Sequence, residues 1–285
     1  MARGTLHAVG FSGGIDSQAC AKWVREQHNG EDIVLCNSDA GGNEHPLTTE
    51  FLRRYSSEVF PVTMLSPIVA DLGNRGTMPG ATRDRRQQFK DSDAMGFEIL
   101  AFIKGRFPSR KVQFCSEHLK LIPQRRWLEE HHGDREVIRY SGVRRDESEK
   151  RKDQPEISWD DYFDCELRCP LVTWTKLQCF EYVKPEPINP LYSLGFWRVG
   201  CAPCINSGKE DILLWAQRFP EMIDKVRRWE KFVGRTFFAP CVPGMENNWI
   251  DEVVEWAGTT RGGREIGLHV LYERKACESK YGLCE

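Results

Sequence analysis

The chain has 285 residues, 40% of them hydrophobic, and its 40 basic and 42 acidic side chains leave a net charge of −2. That length suits one large domain, or one domain with a smaller annex, and the composition excludes collagenous, fibrous and disordered classes. The balanced charge gives no global case for nucleic-acid binding, no apolar run is long enough to span a bilayer, and Met1-Ala2-Arg3-Gly4-Thr5 lacks the apolar core of a signal peptide.

A cytoplasmic location is the resulting expectation. Leu6 to Phe11 is an apolar run suited to a buried strand, and Gln18 to Gln27 reads as a helix. Between them stands Ser12-Gly13-Gly14-Ile15-Asp16-Ser17. Two adjacent glycines open backbone conformations closed to other residues and let N–H groups approach an anion, while the following helix presents the positive end of its dipole. Ser12 and Ser17 add hydroxyls. The spacing fits neither GxxxxGK[ST] nor GxGxxG, so the commonest nucleotide loops are excluded.

Asp32 to Asn37 predicts a second buried strand, followed by polar Ser38 to Asn43 and a helix over Thr48 to Glu58. Val59 to Leu65 supplies a third strand. Gly73 to Phe89, rich in Gly, Arg and Asp, reads as an irregular connection over the site, and Ser92 to Lys104 returns to helical spacing. Val112 to Cys115 and Glu136 to Ser141 read as strands flanking a helix over Pro123 to His131. This β-then-α order predicts a doubly wound, mostly parallel α/β sheet with ligands at the C-terminal strand ends. From about residue 155 the pattern shifts to Trp, Cys, Pro and Gly-rich connections, with helices near Thr175 to Val183, Lys209 to Phe219 and Glu221 to Val233. The expected division is an α/β domain over 1–154 and a smaller, Cys-rich, mainly helical annex over 155–285.

Basic residues cluster at Arg83-Asp84-Arg85-Arg86 and from Arg139 through Arg144, Arg145, Lys150, Arg151 and Lys152, which suits local anion binding. Eleven cysteines in a reducing compartment point to metal or redox chemistry rather than disulfides. Cys201 and Cys204 form CxxC around Pro203, a spacing that lets two thiolates meet one metal or cluster. Cys20 and Cys179 fall within helical patterns and read as small packed groups.

The run Ser-Gly-Gly-x-Asp-Ser resembles the PP-loop of the ATP pyrophosphatases, which cleave ATP between its α and β phosphates. Further segments narrow the resemblance. Asp39-Ala40-Gly41-Gly42-Asn43-Glu44-His45-Pro46-Leu47-Thr48 is similar to an acidic loop beside the nucleotide in reductases of phosphoadenylyl sulfate, and Cys115 through Lys120 to Pro123 is similar to their Cys-x-x-x-x-Lys-x-x-Pro element. Tyr140-Ser141-Gly142-Val143-Arg144-Arg145-Asp146-Glu147-Ser148 resembles their Gly-hydrophobic-Arg-x-x-x-Ser signature. Pro170-Leu171-Val172-Thr173-Trp174, Asn189-Pro190-Leu191-Tyr192 and Gly200-Cys201-Ala202-Pro203-Cys204 follow in family order. On these motifs the chain is identified as a member of the phosphoadenylyl sulfate (PAPS) reductase-like ATP pyrophosphatases, a group that includes enzymes of DNA phosphorothioation.

The resemblance implies a PP-loop α/β fold in which Phe11, Ser12, Gly13, Gly14, Asp16, Ser17, Asp39, Gly142 and Arg144 bind nucleotide. Asp16, Ser17, Asp39, Lys120, Arg144 and Arg145 are the implied catalytic set, with ATP and Mg2+ as cofactors. An Arg fork suits phosphate or sulfate oxygens. In the iron-sulfur branch a similar Gly-Cys-x-Pro-Cys pairs with cysteines ahead of the Lys-x-x-Pro element, which implies Cys115, Cys201 and Cys204 as ligands of a [4Fe-4S] cluster. The family has two adjacent cysteines where this chain has Cys115-Ser116, so a fourth ligand comes from Cys169, Cys165 or Cys241, or is missing; Zn2+ on the same thiolates stays open.

Glu265-Ile266-Gly267-Leu268-His269 resembles the reductase signature Glu-Cys-Gly-hydrophobic-His, with Ile266 at the position of the attacking cysteine. Isoleucine is no nucleophile, so reduction by that route requires Cys277 or Cys284 instead. Gly262 and Gly263, between Arg261 and Arg264, retain the makings of a basic flap. The expected activity is therefore ATP pyrophosphatase chemistry that adenylates an acceptor for sulfur insertion, with a nucleic-acid acceptor, a cysteine desulfurase as sulfur donor and no membrane partner; a homo-oligomer is compatible with it. Adenylyl sulfate or phosphoadenylyl sulfate reduction, tRNA thiolation and a non-catalytic nucleotide-binding module are the alternatives.

Overall fold

A computed structural model describes residues 4–69, 80–89, 95–242, 244, 246 and 248–259. Six strands form one sheet: β1 Leu6–Gly10, β2 Asp32–Ser38, β3 Val62–Leu65, β4 Val137–Tyr140, β5 Ile157–Asp160 and β6 Cys165–Arg168. Their order is β3-β2-β1-β4-β6-β5, parallel throughout except for β5, which pairs antiparallel with β6 at the edge. The expected α/β, mostly parallel architecture is present.

β1 is buried on both faces, as a central parallel strand must be. Val9 shares a core with α1 (Ile15–Gln27), α2 (Pro46–Glu58) and Tyr140, whereas Leu6 and Ala8 meet Leu128 of α6 (Ile122–His132) on the other side. Helices thus cover both faces. Winding proceeds outward from β1 to β2 and β3 in one direction and to β4 in the other, so the order reverses between β1 and β4. In such sheets the crevice beyond the strand ends at that reversal is where ligands sit.

A second core joins α4 (Phe97–Lys104) to α8 (Lys209–Arg218), α9 (Pro220–Val233) and α10 (Ile250–Ala257), with Trp215, Trp229 and Phe237 among its buried side chains. α7 (Lys176–Val183) packs instead on the first core through Cys179 and Val183.

Three segments depart from the sequence expectation. Val112 to Cys115 forms no strand: α5 (Phe114–Ser116) starts there, runs through a π-helical turn at Glu117–Leu121 and continues as α6. Phe114, Leu119 and Leu121 are buried along this helix, so a short apolar run served a helix rather than a strand. Part of the connection over Gly73 to Phe89 is helical, as α3 (Gly80–Gln87). The sheet also continues past residue 154, because β5 and β6 extend it beyond β4.

Candidate functional site

The glycine-serine loop closes the end of β1 at the order reversal. Gly13 has φ +81°, a conformation L side chains rarely adopt, and a Cβ there would stand 3.2 Å from Leu52. Gly14 caps α1 in an extended conformation without a side-chain cap. Hydroxyl oxygens serve the loop amides instead: Ser12 N–H donates to Ser17 Oγ (3.2 Å), Gly14 N–H to Ser12 Oγ (3.3 Å) and Ile15 N–H to Tyr192 Oη (2.8 Å). The two serine hydroxyls touch at 3.1 Å, and Ser17 Oγ donates to the Gly14 carbonyl. Phe11 is buried against Tyr55 in the core, so only its backbone reaches the loop.

The exit of β4 faces the same loop. Arg144 Nη2 pairs with Asp16 Oδ2 at 2.9 Å, and Arg144 Nη1 also pairs with Asp146. A Cβ on Gly142 would lie 2.5 Å from the Asp16 carbonyl oxygen and 3.0 Å from Ser17 N, so glycine lets the first turn of α1 approach the strand end. Arg145 is exposed, and its Nε donates to the Gln154 carbonyl at 2.9 Å. The motif thus splits its two arginines between a buried strut and a surface position.

The acidic loop after β2 is tied to the CxxC segment by main-chain contacts. Glu44 and Cys201 form an isolated antiparallel bridge, Ala202 N–H donates to the Asn43 carbonyl (2.9 Å) and Asn43 Nδ2 to the Pro203 carbonyl (3.2 Å). Asp39 is partly buried and its Oδ1 accepts from Gly42 N–H at 3.1 Å. Gly41, at φ +66°, packs where a Cβ would stand 2.6 Å from Phe97 N.

This arrangement gathers Cys115, Cys201, Cys204, Glu44 and Lys120. Burial works against the charge of Lys120, but Cys201, Glu44, Cys204 and Cys115 around it hold its ammonium above the ordinary range. Burial pushes the Glu44 carboxyl up to about 8, against the opposing pull of Lys120. The hydrogen bond between Cys201 and Cys204 splits that pair: it lifts Cys201 well above the usual thiol value and, with Arg198 nearby, lowers Cys204 to about 6. Burial raises the Cys115 thiol to about 12. Arg198, Cys201, Cys204, Ser207, Asp211 and Trp215 line a small concavity of about 20 Å³ here.

Cys169 is not brought to this group. It follows β6, packs fully buried with Val143 and Val172, accepts from Gln154 Nε2 at 3.9 Å, and has Arg139, Arg151 and Asp160 as charged neighbours. That placement corrects the expectation of Cys169 as fourth ligand. Cys165 lies beside Arg139 and Cys241 is exposed near Arg110, so neither candidate replaces it. Ile266, His269, Arg261, Gly262, Gly263, Arg264, Cys277 and Cys284 lie outside the described residues.

Two residues of the site were not among its expected members, and of these only Tyr192 had a motif behind it. Lys225 on α9 is brought near Cys201, Glu98 and Asp39, and burial pulls it down to about 8. Tyr192 reaches the start of α1 from a 3-10 turn, Pro190–Tyr192, whose Asn189 cap also donates to Thr48 Oγ1 at 3.1 Å. The Asn-Pro-Leu-Tyr motif was the only pointer to it.

A mostly parallel α/β sheet with a glycine loop at its order reversal defines a protein of the nucleotide-binding α/β class. Residues 86–207 match the family model described as Phosphoadenosine phosphosulfate reductase domain. The matched stretch contains Cys115, Lys120, Arg144, Cys201 and Cys204 and begins after the glycine-serine loop.

An uncharacterized 37.8 kDa protein of Escherichia phage 186 is 29% identical, over all of this chain and 98% of its own length. An adenosine 5'-phosphosulfate reductase of Salinibacter ruber is 33% identical over 34% of this chain, a match spanning 37% of that enzyme. A crystal structure of phosphoadenylyl-sulfate reductase from Candida auris, in a phosphate complex, is similar over 69% of this chain and 80% of that one, at 16% identity and a TM-score of 0.43. No helix among the described residues is long and apolar enough to cross a membrane.

Proposed function

We propose that the chain is an ATP pyrophosphatase that adenylates an acceptor for sulfur insertion, with a nucleic acid as the acceptor. One observation carries this reading: Ser12, Ser17 and Tyr192 hydroxyl oxygens sit on the amides of Ser12, Gly14 and Ile15, at acceptor positions that phosphate oxygens of ATP can take over. Asp16 is committed to Arg144, so Asp39 is the carboxylate assigned to Mg2+. Lys120 and Arg144 bring positive charge to the same strand ends, and Arg145 reaches the bound anion from the surface.

In the reaction, an acceptor oxygen attacks the α phosphorus and forms a new P–O bond while the bridge to the β phosphorus breaks. Pyrophosphate leaves, its charge offset by the cations. A persulfide sulfur supplied by a cysteine desulfurase then attacks the adenylated centre, the bond to AMP breaks, and a thiol reductant supplies the two electrons that cleave the resulting S–S bond and leave the sulfur on the acceptor. The proposed division of labour is nucleotide binding by 1–154 and sulfur handling by 155–285.

Cys115, Cys201 and Cys204 are the residues that would hold a [4Fe-4S] cluster. Their donor set fits: three thiols, one already favouring the thiolate, beside the cations Lys120 and Arg198. Four thiolates on one zinc stand about 3.8 Å apart, from Zn–S bonds of about 2.3 Å. Cys201 and Cys204 stand within hydrogen-bonding reach of each other, so Zn2+ on the same thiolates is the alternative to a cluster. Held there by Cys115, Cys201 and Cys204, a cluster would supply sulfur holding. Anaerobic purification tests it: a brown protein with thiolate-to-iron absorption supports a cluster, and a colourless zinc protein overturns it.

Pyrophosphate release from ATP tests the activity itself. Turnover lost in Asp16→Ala and Ser17→Ala supports the reading, and no release with any nucleic-acid acceptor removes it. The relatives named adenosine 5'-phosphosulfate reductase favour a second reading, sulfite production with a thiol reductant. Because Ile266 replaces the attacking cysteine, that reading needs a tail thiol, and Cys284→Ser is the discriminating variant.

A further inference from the structure

Near the opposite end of β1 from Gly13, two imidazoles are stacked and clamped. His7 and His28 ring centroids lie 3.8 Å apart with planes at 25°. On one edge Glu31 Oε2 stands 2.5 Å from His7 Nε2 and 3.4 Å from His28 Nδ1. On the other, Tyr140 Oη stands 3.0 Å from His7 Nδ1 and 3.0 Å from His28 Nε2. His7 is buried, His28 nearly so, and the Glu31 side chain retains 53% of its exposure.

Three of the four contacts are hydrogen bonds, the fourth is the longer His28 Nδ1–Glu31 approach, and Arg168 lies beside the Tyr140 hydroxyl. Two neutral imidazoles and the phenol supply one proton to each hydrogen bond and leave none for the fourth contact. The deficit falls where a nitrogen lone pair faces a carboxylate oxygen, which is repulsive unless a cation enters.

We infer that His7, His28 and Glu31 form a binding site for a divalent transition ion of the zinc class. The ligand atoms lie within 4.8 Å of one another, and two imidazoles with one carboxylate and one solvent-facing position make a recognised zinc geometry. The ion takes the edge now held by Glu31, the half-exposed carboxylate withdraws and the rings splay to meet it. The remaining ring nitrogens, His7 Nδ1 and His28 Nε2, keep their contacts with Tyr140 Oη, which orients both rings. His28 caps the C-terminus of α1, where the helix dipole also favours a cation. The ion would pin that helix, whose other end carries the glycine-serine loop, to the starts of β1 and β2.

Cadmium NMR of the full chain separates this site from the cysteines, because nitrogen and oxygen ligands give resonances well apart from those of thiolates. One nitrogen/oxygen-type resonance is expected, displaced by excess Zn2+ and lost in His28→Gln while any thiolate-type signal stays. Tyr140→Phe, which leaves the ligands intact, should weaken Cd2+ binding about 10–100-fold. Glu31→Gln, at a half-exposed position, should also lose the resonance while the variant still melts cooperatively. A spectrum without that resonance at saturating Cd2+, one that persists in both ligand variants, or imidazole nitrogen NMR showing a protonated ring at neutral pH in the presence of Zn2+ overturns the site.

Discussion

Arg144, at the exit of β4, holds Asp16 in the first turn of α1 at 2.9 Å, and the two side chains retain only 4% and 0% of their exposure. A buried pair of this kind stabilises little by its presence and costs much when halved, because the surviving charge has neither water nor partner. Arg144→Ala should therefore lower folding stability by about 3–5 kcal/mol. Arg144→Lys should lose less stability yet still impair catalysis, since an ammonium cannot reproduce the fork shared between Asp16 and Asp146. Urea unfolding of both variants, with pyrophosphate release measured on the lysine variant, checks the split.

Tyr192 supplies the acceptor for Ile15 N–H. Tyr192→Phe removes it and leaves an amide unsatisfied at the helix start, at a cost of about 1–3 kcal/mol. If phosphate oxygens can take that place, ATP should restore more stability to the variant than to the wild type. Thermal melts with and without ATP give the comparison; an equal ATP shift in both proteins would contradict it.

Glu44 gives stability a pH dependence. Its folded carboxyl is raised from 4.5 to about 8 by burial, so its neutral form is the one the fold accommodates. That contribution is fully present below about pH 4.5 and is lost as pH rises through about 8. Glu44→Gln should flatten the decline, with urea midpoints that differ less between pH 5 and pH 8 than those of wild type.

The unequal thiols of the site should react unequally. Cys204, lowered to about 6, is largely thiolate at neutral pH, whereas Cys115, raised to about 12, is not. Iodoacetamide on the reduced, metal-free chain should label Cys204 ahead of Cys115, with a rate that rises through about pH 6. Mass spectrometry of the labelled peptides is the readout, and faster labelling of Cys115 would count against the assignment.

The parts of this molecule legible in the sequence are those where local chemistry and fold demand the same residues. Leu6 to Gly10 is apolar because both of its faces are covered, and Gly13 is glycine because its φ and its contact with Leu52 admit nothing larger. β5 and β6 were invisible for the opposite reason. Cys-Glu-Leu-Arg is short and half polar, and its strand conformation is imposed by pairing with β4 rather than by its own propensity. Val112 to Cys115 misled because a brief apolar run fits a strand or a buried helix equally well, and only packing decides. CxxC spacing and the Lys-x-x-Pro element pointed to Cys115, Lys120, Cys201 and Cys204, which the fold gathers. Cys169 had no such spacing behind it, and Lys225 is one cation on an amphipathic helix, with nothing local to distinguish it from a solvated one.

The central claim, that the glycine-serine loop grips the phosphates of ATP, is tested most directly by calorimetric titration of the full chain with ATP and Mg2+, beside Gly13→Val and Ser17→Ala. Saturable heat in the wild type that is lost in both variants, while each still melts cooperatively, is the predicted result. Undiminished heat in the Gly13→Val protein, or none in the wild type, would contradict it.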